Sequence, residues 1–227
     1  MESFNEKMIT KNTITRASRY LRVLKNLRSL GFVRVYSPNL ADALGLTPAV
    51  VRKDFSLLGM EGRKKGGYLI DELIEHLEHL LGANNPCKTV VVGCGRIGRA
   101  LIESQELRRE GIQIVAGFDI APPPPEEQGE VPILPMDEFE SIVDKEGIRV
   151  GILAVPSHAA LEVFERMRAA GIRGFLNFTT VELKCQERCP HGCENRCVIH
   201  QVNIGLELET LFHMVHITEQ RPELLKE

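Results

Sequence analysis

Apolar residues at Tyr20, Leu21, Val23, Leu24, Leu27 and Leu30 recur at helical spacing and predict a helix over residues 15–30, ended by Gly31. Ser37 followed by Pro38 reads as the capped start of a short helix through Leu44, ended by Gly45. Thr47 followed by Pro48 repeats that signal for a third helix, whose apolar positions Val50, Val51, Phe55 and Leu58 precede Gly59. Residues 71–81 read as a short amphipathic helix. Beyond Pro86 the pattern changes to strands alternating with helices. The expected order is a strand over 88–92, a helix to about Arg109, a strand over 112–118, a helix over 137–146 and a strand over 150–155. A helix over 159–170, a strand over 174–177, a strand over 198–203 and a last helix over 206–217 follow. Such alternation predicts a parallel sheet covered by helices.

A short helix, a tight turn at Gly45 and a second capped helix make a helix-turn-helix, although unspecific helix pairs share that pattern. Charge sharpens the reading. Residues 1–68 carry 13 Lys/Arg against 5 Asp/Glu, whereas residues 69–227 carry 15 against 26, so the net charge of −3 hides a basic head on an acidic body. Basic clustering of this kind is the footprint of a nucleic-acid-binding module; alone it would equally suit a solvated helix face. Arg52 and Lys53 fall early in the third helix, where a recognition helix meets base edges and phosphates. Gly59 to Tyr68, with Arg63, Lys64 and Lys65, reads as a glycine-rich basic hairpin, a wing able to displace counterions from a phosphate backbone.

Composition, at 43% hydrophobic and 26% charged, is that of an ordinary globular chain and excludes collagen-like and wholly disordered classes. No apolar run approaches the roughly 18–20 residues of a membrane span. The first seven residues lack a basic-then-apolar layout, so no secretory signal and a cytoplasmic location are expected. The expected fold class is α/β. A winged helix-turn-helix domain covers 1–82 and a linker covers 83–86. A Rossmann-type, doubly wound parallel-sheet domain covers 87–205, and a C-terminal helical segment covers 206–227.

The predicted strand over 88–92 runs into Gly93, Cys94, Gly95, Arg96, Ile97 and Gly98, a GxGxxG at the start of a helix. Asp119 ends the next strand, 21 residues after Gly98. In this strand–turn–helix–strand context the glycines allow a tight turn and close approach of backbone amides to a pyrophosphate. The acid accepts ribose hydroxyls and repels a 2′-phosphate, which favours NADH/NAD over NADP(H). Pro156, Ser157 and His158 lie at the carboxyl end of a strand, on the dinucleotide side; His158 reads as a loop residue or cofactor neighbour rather than a base. No catalytic set emerges, and the chain leaves little room for a substrate domain. The expected role is a sensor and not an enzyme, with an NAD-dependent oxidoreductase as the alternative.

Thr47-Pro48-Ala49-Val50-Val51-Arg52-Lys53-Asp54-Phe55-Ser56-Leu57-Leu58-Gly59 with the 62–68 wing resembles the winged-helix signature of the Rex family of redox-sensing transcriptional repressors. Gly93 to Gly98 with Asp119, and Leu176-Asn177-Phe178, resemble the same family in the same order over nearly the whole chain. The resemblance implies a homodimer that binds palindromic double-stranded operator DNA when NADH is low, with Thr47, Arg52, Lys53, Ser56, Arg63, Lys64 and Lys65 toward DNA. It implies that NADH closes the dimer and moves the heads out of register with the operator. It also implies a C-terminal helix swapped between subunits, which Glu207 to Ile217 matches, and a nicotinamide near Asn177 and Pro156. The family's switch joins an arginine of the first helix to a tyrosine and an aspartate; here the positions are Arg16, Ser104 and Asn203. The usual alanine-proline after the Asn-Phe pair is Thr179-Thr180.

A second departure is an insertion where the family has a short link. Cys185, Cys189, Cys193 and Cys197, four of the six cysteines, follow one another at C-x3-C-x3-C-x3-C. A cluster on a polar loop has no packing explanation, unlike the isolated Cys87. Disulfides are disfavoured in a reducing compartment, and redox-active thiols are an alternative. Four thiolates read as a metal site, and both zinc and an iron–sulfur cluster accept them. The spacing is not the paired C-x2-C of zinc ribbons, and a redox regulator gains more from an oxidisable cluster. A [4Fe-4S] centre is therefore the expectation, with structural zinc second.

Overall fold

The computed structural model describes residues 9–60, 66–82, 87–185 and 197–221. It divides into two compact units, Met1–Asn85 and Pro86–Glu227.

In the first unit α1 (Lys11–Ser29) is capped by Thr10, whose side chain accepts from the Thr13 amide. It is followed by β1 (Arg34–Val35), α2 (Ser37–Leu44), α3 (Pro48–Leu57), β2 (Tyr68–Leu69) and α4 (Ile70–Leu81). β1 and β2 pair antiparallel, Arg34 with Leu69 and Val35 with Tyr68, and form the base of a wing. Gly67 enters this hairpin at φ +65°, where an added Cβ would lie 2.7 Å from the Val35 carbonyl oxygen. The expected cap at Ser37 is corrected. The cap residue is Tyr36, because the Leu40 amide already reaches the Tyr36 carbonyl at 3.3 Å, so Ser37 is itself helical and makes no side-chain cap. Thr47 does cap α3, accepting from the Val50 amide at 3.3 Å. The core joins Tyr20, Leu24, Leu40, Phe55, Leu58 and Leu77 from all four helices, with Phe55 edge-on to both Tyr20 and Tyr68.

One charged side chain is sealed into this core. Asp54, on α3, is 1% exposed. Its carboxylate accepts from Arg16 Nε at 2.6 Å and Nη2 at 2.8 Å, and from the Tyr20 hydroxyl at 2.8 Å. Burial pushes the carboxyl upward, but the Arg16 and Tyr20 hydrogen bonds outweigh it and hold Asp54 below the ordinary carboxylate range. The Asp54 hydrogen bond keeps the Arg16 guanidinium above its ordinary value, and burial raises the Tyr20 phenol. This bidentate pair fixes α3 against α1.

In the second unit six strands form one parallel sheet in the order β5-β4-β3-β6-β7-β8. The strands are β3 (Cys87–Val92), β4 (Ile112–Asp119), β5 (Ile133–Pro135), β6 (Val150–Leu153), β7 (Gly174–Asn177) and β8 (Val198–Gln201). The chain leaves β3, winds outward to β5, and returns to β6 beside β3. The order therefore reverses between β3 and β6, the position at which doubly wound sheets open a crevice. Val90, Phe118, Phe139, Leu153, Phe164 and Phe175 fill the core on one side, and Val91, Ile102, Ile114 and Ile152 lie in a second cluster.

Three sequence expectations are corrected here. The helix expected from the glycine turn to Arg109 is two, α5 (Arg96–Ile102) and α6 (Gln105–Arg109), because Ser104 caps the second by accepting from the Leu107 amide. β5 was not expected at all. Gln128 secures it, its side chain bonding the backbone of Ile133 on both sides. The strand expected over 198–203 stops at Gln201, because Asn203 is the cap of α9 (Ile204–Gln220). α7 (Phe139–Glu146) and α8 (Ala160–Ala169) complete the element order. No residue of α9 is buried, and Leu206, Leu208, Leu211, Phe212 and Met214 are all exposed on it.

Removing one partner of a buried pair leaves the other charge unmet, at about 3–5 kcal/mol. Asp54→Ala is expected to destabilise the chain by that order in urea denaturation, with Asp54→Asn intermediate. Because Asp54 is lowered in the folded state, its contribution is present above the ordinary carboxylate range and is lost as pH falls through its depressed value. The acid side of the wild-type stability profile should flatten in Asp54→Asn.

Candidate nucleic-acid interface and dinucleotide crevice

The exposed side of α3 carries Ala49, Arg52, Lys53 and Ser56, opposite the buried Val51, Asp54 and Phe55. Spacings of three and four place the exposed set on one face. Among the described residues neither Arg52 nor Lys53 forms an ion pair. The Thr47 hydroxyl oxygen is used as the cap of α3, which leaves its own O–H to donate outward. Arg34 donates to the Gly66 carbonyl at 2.7 Å and steadies the root of the wing. Arg63, Lys64 and Lys65, expected on the wing, lie outside the described residues.

At the switch point of the sheet the three glycines have three separate reasons to be glycine. Gly93 sits at φ +94°, and an added Cβ would lie 2.5 Å from the Ala154 carbonyl oxygen at the end of β6. Gly98 lets α5 lie down on β3; its Cβ would be 2.0 Å from the Gly93 oxygen. Gly95, at the cap of α5 with φ −70°, would meet nothing within 4 Å. Among the described residues no atom requires a glycine there, and the space beside it is open. The first amides of α5, from Arg96 and Ile97, have no intrahelical acceptor.

Asp119, ending β4, accepts from the Cys94 amide at 2.7 Å and the Ala121 amide at 3.0 Å. A carboxylate offers about four acceptor positions, so these two bonds orient it and leave others for hydroxyl donors. Cys94, within the glycine turn, gives its amide to Asp119. Its thiol is buried against Gly117, and burial raises it to about 12, so it packs as an inert side chain. Arg99 donates back to the Cys94 carbonyl at 3.0 Å and locks the turn. Ile120, directly after the acid, is 93% exposed, an apolar surface position that sequence reasoning passed over. Its signal was an apolar side chain directly after a strand-terminal acid.

The far wall of the crevice is the chain after β6 and β7. Pro156 precedes a single 3-10 turn, and Ser157 shares a hydrogen bond of 2.9 Å with Thr180. Asn177 is fully buried. Its amide nitrogen donates to the Val181 carbonyl and the Gln201 side chain, and its oxygen accepts from the Thr179 amide. The side chain therefore shapes the 178–181 loop.

The positions of the expected switch all do local work. Arg16 is held by Asp54, Ser104 caps α6, and Asn203 caps α9 through the Leu206 amide at 3.1 Å. Of the four clustered cysteines, Cys189 and Cys193 lie outside the described residues. Cys185 and Cys197 are brought together: the Cys197 amide donates to Cys185 Sγ at 3.4 Å. That bond, with Arg168 beside it, holds the Cys185 thiol below its ordinary value, whereas burial raises Cys197.

Residues 8–56 match a family model described as putative DNA-binding protein N-terminus, and residues 84–181 match one described as CoA binding domain. A redox-sensing transcriptional repressor Rex from Desulforamulus reducens is 33% identical over 221 residues, covering 93% of this chain and 98% of the relative. The chain belongs to the Rex family. A Rex repressor from Carboxydothermus hydrogenoformans is 35% identical, covering 89% of this chain and 94% of its own length. The solved Rex-family repressor RSP, in complex with β-NAD+ and operator DNA, superposes with a TM-score of 0.80 at 25% identity, covering 96% of this chain and 98% of that one. The RSP structure described simply as a Rex-family repressor gives 0.76 at 24% identity. This Rex chain is a transcriptional regulator and not an enzyme, and the oxidoreductase alternative falls with that assignment. Among the described residues no helix is long and apolar enough to cross a membrane.

The glycines separate stability from binding. Gly98→Ala is expected to destabilise by about 3 kcal/mol or more, as overpacking against rigid backbone does. Gly95→Ala, with open space and an ordinary φ, should melt as the parent does. Thermal unfolding of the two variants side by side checks the contrast, and an equal loss in both would refute it.

Proposed function

We propose that this chain represses transcription as a homodimer bound to a palindromic operator, and that NADH/NAD in the switch-point crevice sets its DNA affinity. The observation that carries the reading is Gly95. A turn pinned by Gly93 and Gly98 leaves one glycine facing empty space, with an oriented acid, Asp119, beside it. A pyrophosphate against the amides of Gly95, Arg96 and Ile97, and a ribose on Asp119, would use that arrangement. Ile120 and Ile97 offer apolar surface. Pro156 borders the nicotinamide end, and Asn177 acts there by holding the 178–181 loop. The solved RSP complex with β-NAD+ and operator DNA supports both ligands. On the DNA side Arg52, Lys53, Ser56 and Thr47 face the groove, with Arg63, Lys64 and Lys65 of the wing on phosphates. The exposed apolar side chains of α9 are the surface a swapped partner helix would cover.

We further propose that Cys185, Cys189, Cys193 and Cys197 hold a [4Fe-4S] cluster, with zinc as the second reading. The described half of the motif suits thiolate donors. Two sulfurs are adjacent, one receives a backbone N–H, and a buried guanidinium stands beside it. When bound, a cluster would supply a redox- and oxygen-sensitive charge. The cysteine segment precedes α9, so its gain or loss would bias the dimer's two-state equilibrium. With no carboxylate or phenol at Asn203 and Ser104, this centre would take over part of the family's switch.

Arg52→Ala and Lys53→Ala are each expected to cost about 1–3 kcal/mol of operator affinity if the residue reads a base bidentately. Gly95→Asp should abolish NADH binding in calorimetry while the melting curve stays near that of the parent. Wild-type operator affinity for both DNA variants, or unchanged NADH affinity in Gly95→Asp, would sink the corresponding half. Anaerobically purified protein should be brown, with about four irons per chain as a [4Fe-4S] centre requires. Changing Cys189 and Cys193 to serine should shift operator affinity by at least about 1 kcal/mol. A lower melting temperature with unchanged affinity would make the site a structural clip.

A further inference from the structure

The segments that follow β6 and β7 both end on exposed hydroxyls. β6 leads into Ala154, whose carbonyl oxygen lies against the glycine turn, 2.5 Å from a Cβ added at Gly93. Three residues on, Ser157 opens a 3-10 turn at the carboxyl end of that strand. β7 leads into Phe178, which packs, partly buried, on the cluster that holds Cys94 of the turn and Ile102 of α5. Thr179 and Thr180 follow. Ser157 and Thr180 are both exposed, and their hydroxyl oxygens share a hydrogen bond of 2.9 Å. Two neighbouring strands thus deliver one hydroxyl pair to the edge of the sheet where doubly wound folds take their ligands.

The loop that carries Thr180 is held from inside. The buried Thr179 donates its amide to Asn177 Oδ1 at 2.9 Å, and its hydroxyl accepts from the Val181 amide at 3.2 Å. The Val181 carbonyl accepts from Asn177 Nδ2 and from Gln201 Nε2, each at 2.9 Å. These polar atoms on either side of Thr180 are spent on structure. The Thr180 side chain meets only Ser157, and neither hydroxyl has another partner among the described residues. Two hydroxyls bring two O–H donors and four lone pairs, and their mutual bond uses one of each. One O–H and three acceptor positions remain, side by side and held in place.

We propose that the Ser157–Thr180 hydroxyl pair recognises the carboxamide of the nicotinamide. Its spare O–H donates to the carboxamide oxygen, and the adjacent hydroxyl oxygen accepts from the carboxamide N–H. The inference rests on the dinucleotide reading above and adds to it the residues that read the ring's substituent. A primary carboxamide presents an acceptor and a donor next to each other, and a bridged hydroxyl pair complements both without rearranging. A methyl ketone in the same place keeps the acceptor, lacks the donor and leaves a hydroxyl oxygen without its partner. Thr180 lies at the pair of positions where this chain departs from the family's usual alanine-proline, so this recognition belongs to the chain's own side chains.

The test titrates full-length wild type, Ser157→Ala and Thr180→Val by calorimetry with three probes. They are NADH, its reduced 3-acetylpyridine analogue, and ADP-ribose, which keeps the adenosine and pyrophosphate and lacks the ring. Wild type is expected to bind NADH about fivefold more tightly than the analogue, the equivalent of one net hydrogen bond. Each variant should weaken NADH by about the same factor and erase its advantage over the analogue. ADP-ribose affinity and the melting curve should stay those of the parent, because Gly95, Asp119 and the bonds of Thr179 are untouched. Variants that bind NADH as wild type does, or that weaken NADH and ADP-ribose alike, overturn the inference and leave the pair as a solvated clip between two turns. A wild type that binds ADP-ribose and shows no preference for NADH over the analogue overturns the inference alone. A wild type that binds neither NADH nor ADP-ribose overturns the dinucleotide reading and this inference together.

Discussion

A charge removed from water has to be met inside the protein, and the first unit is organised around one such charge. The Asp54 carboxylate lies beneath the recognition helix with both oxygens occupied by Arg16 and Tyr20 of α1. Because the guanidinium engages both oxygens, the contact fixes orientation as well as distance. The same helix then presents Arg52 and Lys53 on its other face. An anion inside and cations outside, one residue apart at Lys53 and Asp54, give α3 an electrostatic polarity that its apolar packing alone would not supply. The arginine that the family resemblance assigns to a switch is here the partner that keeps this helix in place.

In the second unit the governing constraint is steric. The Gly93 and Gly98 contacts bring α5, β3 and the end of β6 closer than any side chain would allow. That closeness positions Gly95 and the first free amides of α5 at the reversal of strand order. Asp119 is tied to the same turn through the Cys94 amide, so acid and glycine loop move as one piece. The crevice is thereby preorganised, and a bound dinucleotide would not have to assemble it.

Much of this was legible in the sequence because it depends on local signals. Thr47-Pro48 announced α3, the glycine pattern announced the turn, and β/α alternation announced the sheet. What escaped depends on partners distant in sequence. Asp54 in a basic, DNA-facing motif looks like one more surface charge until Arg16 and Tyr20 are folded onto it. β5 is three residues, preceded by Pro132 and ending on Pro135, tolerable because it is an edge strand whose Ile133 backbone is bonded by the Gln128 side chain. Ser104 sits in a helix-like pattern but prefers to cap, which breaks the helix in two. Asn177 carries a family signature, yet its contact with Gln201 spans the cysteine segment and could not be read from spacing.

α9 has a consequence of a different kind. None of its 17 residues is fully buried, and Leu211 and Phe212 each leave more than half of their surface uncovered. Where a second copy covers that face, as proposed above, part of the free energy that holds α9 comes from association. Stability then becomes a function of protein concentration, as for any obligate dimer. The number of repressor molecules in a cell would set how much of the operator is covered and also how much of each chain stays folded.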